Sequence, residues 1–310
     1  MKRSNDYLND IARNSNVFCE LTDKERADLK ECLLSIYKDI KFICEKYDLV
    51  FMLSGGSALG AVRHKGFIPW DDDIDLMMPR KDYMKFIEYF KKEFGYKYIL
   101  SAPQKGDVVE SLFLKVIKKN TLMKGVKDSP DFVSGVLVDI FPIDRIPNNL
   151  FVRKLHSCFL FVLRGICSCV KMYRSKNAYM KNALSLNIRS SIYYNTCKIV
   201  GFIFSFLKQS KWYCLFDKCS SLSHGDKFFT IPSGRALYSG ETLLSKEFLP
   251  VSKGLFEGIE VNLPNDVDAY LTNLYGDYMT IPPVEKRERH FYVEFNLSLI
   301  HISEPTRPRL

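Results

Sequence analysis

The hydrophobic and polar positions of this chain change period several times, and each change marks an element. Thr22-Asp23-Lys24-Glu25 has the form of a capping box, in which a Thr side chain and a Glu three residues later satisfy each other's backbone N–H groups. Behind it Leu29, Leu33, Ile36, Tyr37, Ile40, Ile43 and Tyr47 recur at three- and four-residue spacing, predicting one long helix to Tyr47 with an apolar face. Residues 49–53 are a continuous apolar run of strand length, and Gly55-Gly56-Ser57 follows where a strand would pass into a helix. A second apolar run ends at Pro79. Residues 80–94 then read as an amphipathic helix with Tyr83, Phe86, Ile87 and Phe90 inward and Gly95 at its end. Strands are predicted over 98–100, 112–117, 121–126 and 135–144.

From Pro147 the pattern turns helical, over 151–173, 182–209 and 212–222, with Phe, Tyr, Lys and Ser abundant. A β-rich return is predicted from Ser239, with a hairpin over 255–264 and a helix opened at Asn265. The fold class implied is α/β or α+β: a mixed sheet flanked by helices, carrying a helical insertion. Three parts follow, a core over 1–150, the insertion over 151–235 and a closing part over 236–297. Residues 298–310 continue no pattern and are set aside as a disordered or foreign tail.

The chemistry concentrates between residues 53 and 78. Glycines at a strand-to-helix turn let a backbone approach a phosphate, and free N–H groups at a helix start favour an anion, so Gly55, Gly56 and Ser57 are candidate phosphate-binding residues. Asp73 and Asp75 stand at i and i+2 and project from one side of an extended backbone. Two such carboxylates repel each other unless a cation lies between them. Beside a phosphate site the expected cation is Mg²⁺, or Mn²⁺ in its place. A calcium loop counted from Asp71 fails, because the sixth position is Leu76 and the twelfth Asp82. Arg63 and His64 lie between the two halves of this unit, where cations facing phosphate fit as well as ordinary surface residues do. Asp139 is a lone acid inside an apolar strand. Either a metal or a nucleophile partners it, or backbone N–H groups cap it at a strand edge. Asp144 reads as a turn residue after Pro142.

Gly55-Gly56-Ser57 followed by Asp73-x-Asp75 resembles the nucleotidyltransferase superfamily, and residues 60–75 resemble its LicD branch, which includes bacterial phosphocholine transferases and fukutin-related proteins. Val138-Asp139-Ile140-Phe141-Pro142 is similar to the strand that carries a third carboxylate in that branch. Residues 275–283, with Lys286, Arg287 and His290 after them, are similar to its C-terminal signature. The resemblance implies a nucleotidyltransferase-like fold and transfer of a phospho-alcohol group, typically phosphocholine from CDP-choline, to a surface glycan such as lipopolysaccharide, teichoic acid or a capsule precursor. It implies that Asp73, Asp75 and Asp139 are catalytic and metal-binding. The turn at Pro282-Pro283 would bring Lys286, Arg287 and His290 to the donor's diphosphate. Two other readings stand beside it: a metal-dependent glycosyltransferase using a nucleotide sugar, which also uses Asp-x-Asp, and a non-catalytic glycan- or membrane-binding protein.

Composition narrows the partners. With 45 Lys and Arg against 36 Asp and Glu the net charge is +9, and these basic residues form no contiguous block. That suits a CDP-alcohol donor, a phosphorylated or lipid-linked glycan acceptor, or an acidic membrane surface; no aromatic-basic module for nucleic acid is present. The helices over 151–222 are expected to pack on the sheet. The other reading is a basic amphipathic surface in peripheral contact with the inner membrane leaflet. The nine cysteines have no compact disulfide framework and no Cys-x₂-Cys zinc spacing, which predicts reduced thiols. The polar start Met1-Lys2-Arg3-Ser4 and the interruption of the apolar stretch 155–170 by Arg164 give neither a signal peptide nor a membrane span, so the expected location is the cytoplasm.

Overall fold

The computed structural model describes residues 21–125, 128, 133–175, 178–185, 188–284, 287 and 292–297. Helix α1 (Asp23–Lys46) begins at the predicted capping box: the Thr22 hydroxyl accepts the Glu25 N–H at 3.2 Å and the Glu25 carboxylate accepts the Thr22 N–H at 2.8 Å. Leu29, Leu33, Ile36, Tyr37, Ile40 and Ile43 form its buried face, each such side chain contributing about 1.5–3 kcal/mol of apolar burial. Strand β1 is only Met52–Leu53, shorter than the apolar run predicts. The backbone just before it is engaged elsewhere. The Leu49 N–H donates to the Cys44 carbonyl at 2.8 Å, the Val50 N–H to the Asp82 carboxylate at 3.4 Å, and the Phe51 carbonyl accepts from Asn262 at 2.9 Å.

Helix α2 (Gly55–Arg63) leads to β2 (Asp75–Pro79), and α3 (Arg80–Phe94) leads to β3 (Tyr98–Ser101) and β4 (Leu114–Lys118). Strand β5 (Leu122–Gly125) leaves the main sheet, which is completed by β6 (Leu137–Ile146). The order is β1-β2-β6-β4-β3, with β2 and β6 parallel and the other neighbours antiparallel. This is a mixed α/β sheet with helices against it. Because β2 lies between two strands, Leu76, Met77 and Met78 are buried on both faces.

Helix α4 (Leu150–Arg174) follows, held at its start by Asn149, whose side chain accepts from the N–H groups of Phe151 and Val152. The helix predicted over 182–209 is divided into α5 (Ala178–Ser185), α6 (Ile188–Ile203) and a 3₁₀ turn at Phe204–Phe206, while α7 (Gln209–Ser220) begins at Gln209 itself. Leu160, Leu163, Cys167 and Val170 of α4 pack with Trp212, Tyr213 and Phe216 of α7 in a cluster separate from the main core. The chain returns to the sheet earlier than predicted, through β7 (Phe228–Thr230), which pairs with the far end of β6. Residues near Ser239 form the short helix α8 (Leu237–Gly240) instead of a strand. Then come β8 (Leu243–Leu244), α9 (Ser245–Phe248), the predicted hairpin as β9 (Ser252–Phe256) and β10 (Ile259–Leu263), α10 (Val267–Tyr275), and β11 (Tyr292–Asn296), which pairs with β5.

Asp144 is not in a turn: it lies within β6, buried, and accepts two bonds of 2.7 Å from Arg80 at the start of α3. The same guanidinium reaches Asp217 of α7 at 2.6 Å, and Gln104 donates to Asp217 at 2.6 Å. This buried group ties the helices of residues 150–220 to the sheet. The eight described cysteines are free thiols.

Candidate functional site

The site is built where α2 starts and β2 starts. Gly55 has φ +50°, a left-handed conformation that favours glycine. The Ser54 N–H donates to the Asp75 carbonyl at 2.9 Å, and the Asp75 N–H donates to the Ser57 hydroxyl at 2.9 Å. Both backbone groups of Asp75 are thereby fixed to the helix entrance. A Cβ on Gly55 would lie 3.4 Å from Asp75 Oδ2, and one on Gly56 would lie 2.8 Å from Asp71 Oδ2. Two carboxylates therefore rest against the helix N-terminus, the end of the helix dipole that favours negative charge, and at Gly56 a side chain would push against one of them.

Asp71, Asp73 and Asp75 all line one cavity of about 400 Å³. Along this extended segment alternate residues face opposite ways, and Asp72 is turned inward and buried. It lies against Tyr292 of β11, whose phenol is raised above its ordinary pKa by burial, by the charges of Asp72 and Asp73, and by a hydrogen bond to Asp72.

Behind the cavity a row of charges crosses the sheet. Asp75 is in register with Asp139 on β6, and Asp139 with Lys115 on β4. The Lys115 ammonium contacts both oxygens of Asp139, at 2.9 and 3.1 Å. Burial works against that ammonium, but the charge and hydrogen bonds of Asp139, with Asp128 and Asp75 adding to them, raise its pKa above the ordinary value. Lys115 remains charged, and Asp139 is committed to it.

The opposite wall comes from the last third of the chain. Tyr270 of α10 accepts the Gly55 N–H at 3.0 Å and its hydroxyl is 3.1 Å from that of Ser54. Arg63 donates to the Tyr278 carbonyl at 2.6 Å. Arg287 stacks 4.1 Å over Trp70, and Arg235 lies 5.2 Å from the ring centre of Tyr275. Glu241 lines this wall too, although it is 3% exposed. Burial pushes its carboxyl up to about 7, against the pull of the Ala236 N–H bond at 3.0 Å and the charges of Arg164 and Arg235.

Of the residues singled out from sequence, Gly55, Gly56, Asp73, Asp75, Arg63 and Arg287 share this cavity. Ser57, His64 and Asp139 do not line it. Ser57 spends its hydroxyl on Asp75, and Asp139 stands one strand behind, on Lys115. His64 accepts from Arg63 Nε at 3.4 Å, and burial together with the charge of Arg63 lowers its imidazole pKa. Lys286 and His290 lie outside the described residues. Asp71, Lys115, Arg235, Glu241 and Tyr270 were missed. Asp71 shares the two-residue spacing of Asp73 and Asp75 and was open to discovery; the others are joined to the site only by the fold.

Among the described residues no three His, Cys, Asp or Glu side chains gather closely enough to hold a metal alone. The donors present nevertheless suit Mg²⁺: hard carboxylate oxygens on a cavity wall beside a helix N-terminus, an arrangement in which substrate phosphates and water complete the coordination.

Residues 48–152 match the model of the LicD/FKTN/FKRP nucleotidyltransferase domain. The chain carries a LicD-family nucleotidyltransferase domain. This LicD domain contains β1 to β6 and the whole carboxylate segment, but not Glu241, Tyr270 or Arg287. Similarity to one relative runs further. The chain is 28% identical over 263 residues to the lipopolysaccharide cholinephosphotransferase LicD of Haemophilus influenzae, covering 84% of this chain and 94% of that one. An uncharacterised protein of Rickettsia typhi is 34% identical over 67 residues, covering 21% of this chain and 22% of its own. Another, of Rickettsia prowazekii, is 38% identical over 50 residues, 16% and 19% of the two chains.

Proposed function

We propose that this chain transfers phosphocholine from CDP-choline to a hydroxyl group of a cell-surface glycan, lipopolysaccharide or a comparable precursor, releasing CMP. The observation that carries the reading is the meeting of a glycine-started helix with Asp71, Asp73 and Asp75 in one cavity, faced by Arg63, Arg235 and Arg287. A diphosphate is the substrate group such a wall fits, since guanidinium groups bind its oxygens and the helix start favours its charge. The similarity to a lipopolysaccharide cholinephosphotransferase over most of both chains supports phosphocholine as the group transferred.

Mg²⁺, or Mn²⁺ in its place, bound by Asp73 and Asp75 would neutralise charge between these carboxylates and the donor's phosphates. The acceptor oxygen forms a bond to the phosphorus that bears choline, the bond from that phosphorus to the bridging oxygen breaks, and the bridging oxygen leaves with CMP. The acceptor's proton passes to Glu241, whose carboxyl, raised to about 7, can take it near neutral pH. Asp139 acts with Lys115 to hold the charge behind Asp75. Trp70, Tyr275 and Tyr278 give the cavity aromatic walls of the kind that take a quaternary ammonium. Position and charge neutralisation are the protein's main contributions to such a transfer, so no covalent nucleophile is required.

The test is nucleotide release by the purified full chain with Mg²⁺, a bacterial glycan extract and a panel of CDP-alcohols and UDP-sugars. CMP release from CDP-choline, abolished by chelation and by Asp73→Ala with an unchanged circular dichroism spectrum, is expected. UDP release instead would assign the site to glycosyl transfer, and no release from any donor would remove the transferase reading.

A further inference from the structure

The net charge of this protein is unevenly placed. Residues 150–225 hold twelve Lys and Arg against one acid, Asp217, and that acid is buried on Arg80. In the rest of the chain the acidic residues outnumber the basic ones. The basic residues are spaced out along the helices, so they form no block in the sequence, yet the whole positive excess belongs to this one part of the fold.

The same helices expose apolar rows. On α4, Phe151, Leu155, Phe159 and Val162 follow one another at helical spacing and each is more than half exposed. Further along this side α6 covers α4: Gly201 comes so close that a Cβ there would lie 2.2 Å from the Cys169 carbonyl, and Phe202 meets Tyr173. Helix α6 has an outward row of its own in Ile188, Ile192, Ile199 and Ile203, continued by Phe206, all more than half exposed. Exposed apolar surface of this extent is uncommon on proteins that meet only water. Lys154, Lys208 and Lys211 are exposed beside it.

We propose that the outward faces of α4 and α6 dock this protein on the surface of an acidic phospholipid bilayer. Apolar rows bordered by Lys and Arg are the composition of helices that lie in the membrane interface, and acidic lipids attract such charge. A second copy is a poor occupant, because two faces of strong positive charge repel each other. By length and composition alone α4 could cross a bilayer, but Leu160, Leu163, Cys167 and Val170 bind it to α7 along its other side, so it lies on the surface. A second cavity, about 590 Å³, opens between α4 and residues 232–242. Arg153 lines it, stacked 4.0 Å over Phe228, and among the described residues its buried Nη1 has no hydrogen-bond acceptor. Arg164 of α4 holds the carbonyls of Pro232 and Gly234 at 3.0 and 2.8 Å, and Gly234 lines the carboxylate cavity. Arg164 projects from the side of α4 opposite the apolar row, so the helix that carries the docked face on one side braces, on the other, a loop that lines the candidate active site. Docking does not rest on the reaction proposed for that site, and either can fail without the other.

The experiment is flotation of the full chain with vesicles of phosphatidylcholine alone and of phosphatidylcholine with phosphatidylglycerol. Binding to the acidic vesicles is expected, weaker on the neutral ones. The pairs Phe159→Ser with Ile199→Ser and Lys154→Glu with Lys208→Glu should each weaken binding about tenfold, with circular dichroism unchanged. Failure to float with acidic vesicles would overturn the proposal, as would undiminished binding by both variant pairs. A dimer in light scattering that the Phe159/Ile199 pair abolishes would assign the face to a second copy and likewise overturn it.

Discussion

Glu241 offers the sharpest test of how the cavity is built. Its carboxyl is buried and raised from an ordinary 4.5 to about 7, a gap that corresponds to about 3 kcal/mol between the two protonation states. The sign follows from which state holds the proton. Below 4.5 the carboxyl is protonated in both folded and unfolded chains and costs nothing. As pH rises from 4.5 to about 7 the unfolded chain releases its proton while the folded one keeps it, so stability falls; above that range the loss is complete. Glu241→Gln keeps the shape and cannot ionise. Its amide oxygen can still accept the Ala236 N–H, so it should be about 3 kcal/mol more stable than the parent at about pH 8.5. Near pH 4.5 the advantage should vanish. Urea denaturation of both proteins at the two pH values measures this. An advantage that is equal at both, or larger in acid, would refute the claim that burial dominates this group. The same variant should lose most CMP release and the rise of activity through about pH 7, since the gain in stability removes the base.

Two further outcomes follow from the geometry. Asp144→Ala leaves the Arg80 guanidinium buried with one of its two carboxylates, and should lower unfolding free energy by about 3 kcal/mol; a loss under about 1 kcal/mol in chemical denaturation would show that the group does not brace α3 and α7. Gly55→Ala places a Cβ at φ +50° and 3.4 Å from Asp75 Oδ2, so a cost of about 1–2 kcal/mol and a fall in kcat are expected; unchanged melting temperature and turnover would mean that the helix entrance tolerates a side chain.

Local signals were readable in the sequence. The capping box at Thr22 fixed the start of α1, and Pro79 and Gly95 bracketed α3, because these residues act through backbone groups only a few positions away. Asp73 and Asp75 were legible for the same reason. Asp144 was misread because a proline two residues earlier suggested a turn, while the partner that keeps it inside a strand, Arg80, is 64 positions away. Asp139 stood out in the sequence as a lone acid in an apolar strand, with a metal or a nucleophile as its expected partner. Its partner in the fold is Lys115, an alternating polar residue on another strand with nothing local to mark it. Glu241 is an ordinary acid in its own neighbourhood; only the closure of residues 232–242 over the sheet buries it. The basic excess of residues 150–225 was present in the sequence throughout, but spaced at helical intervals it does not stand out until the helices are drawn together.

The hydrogen bond from Gly55 to Tyr270 joins residues 215 positions apart, and the basic helices occupy much of the chain between them. A ribosome that has made residues 48–152 has made the matched domain but not a working cavity, for its far wall is still to be synthesised. If the intervening helices meet a membrane as they emerge, the two halves of the site come together already at the bilayer, and assembly of the cavity and its delivery to that surface become one event.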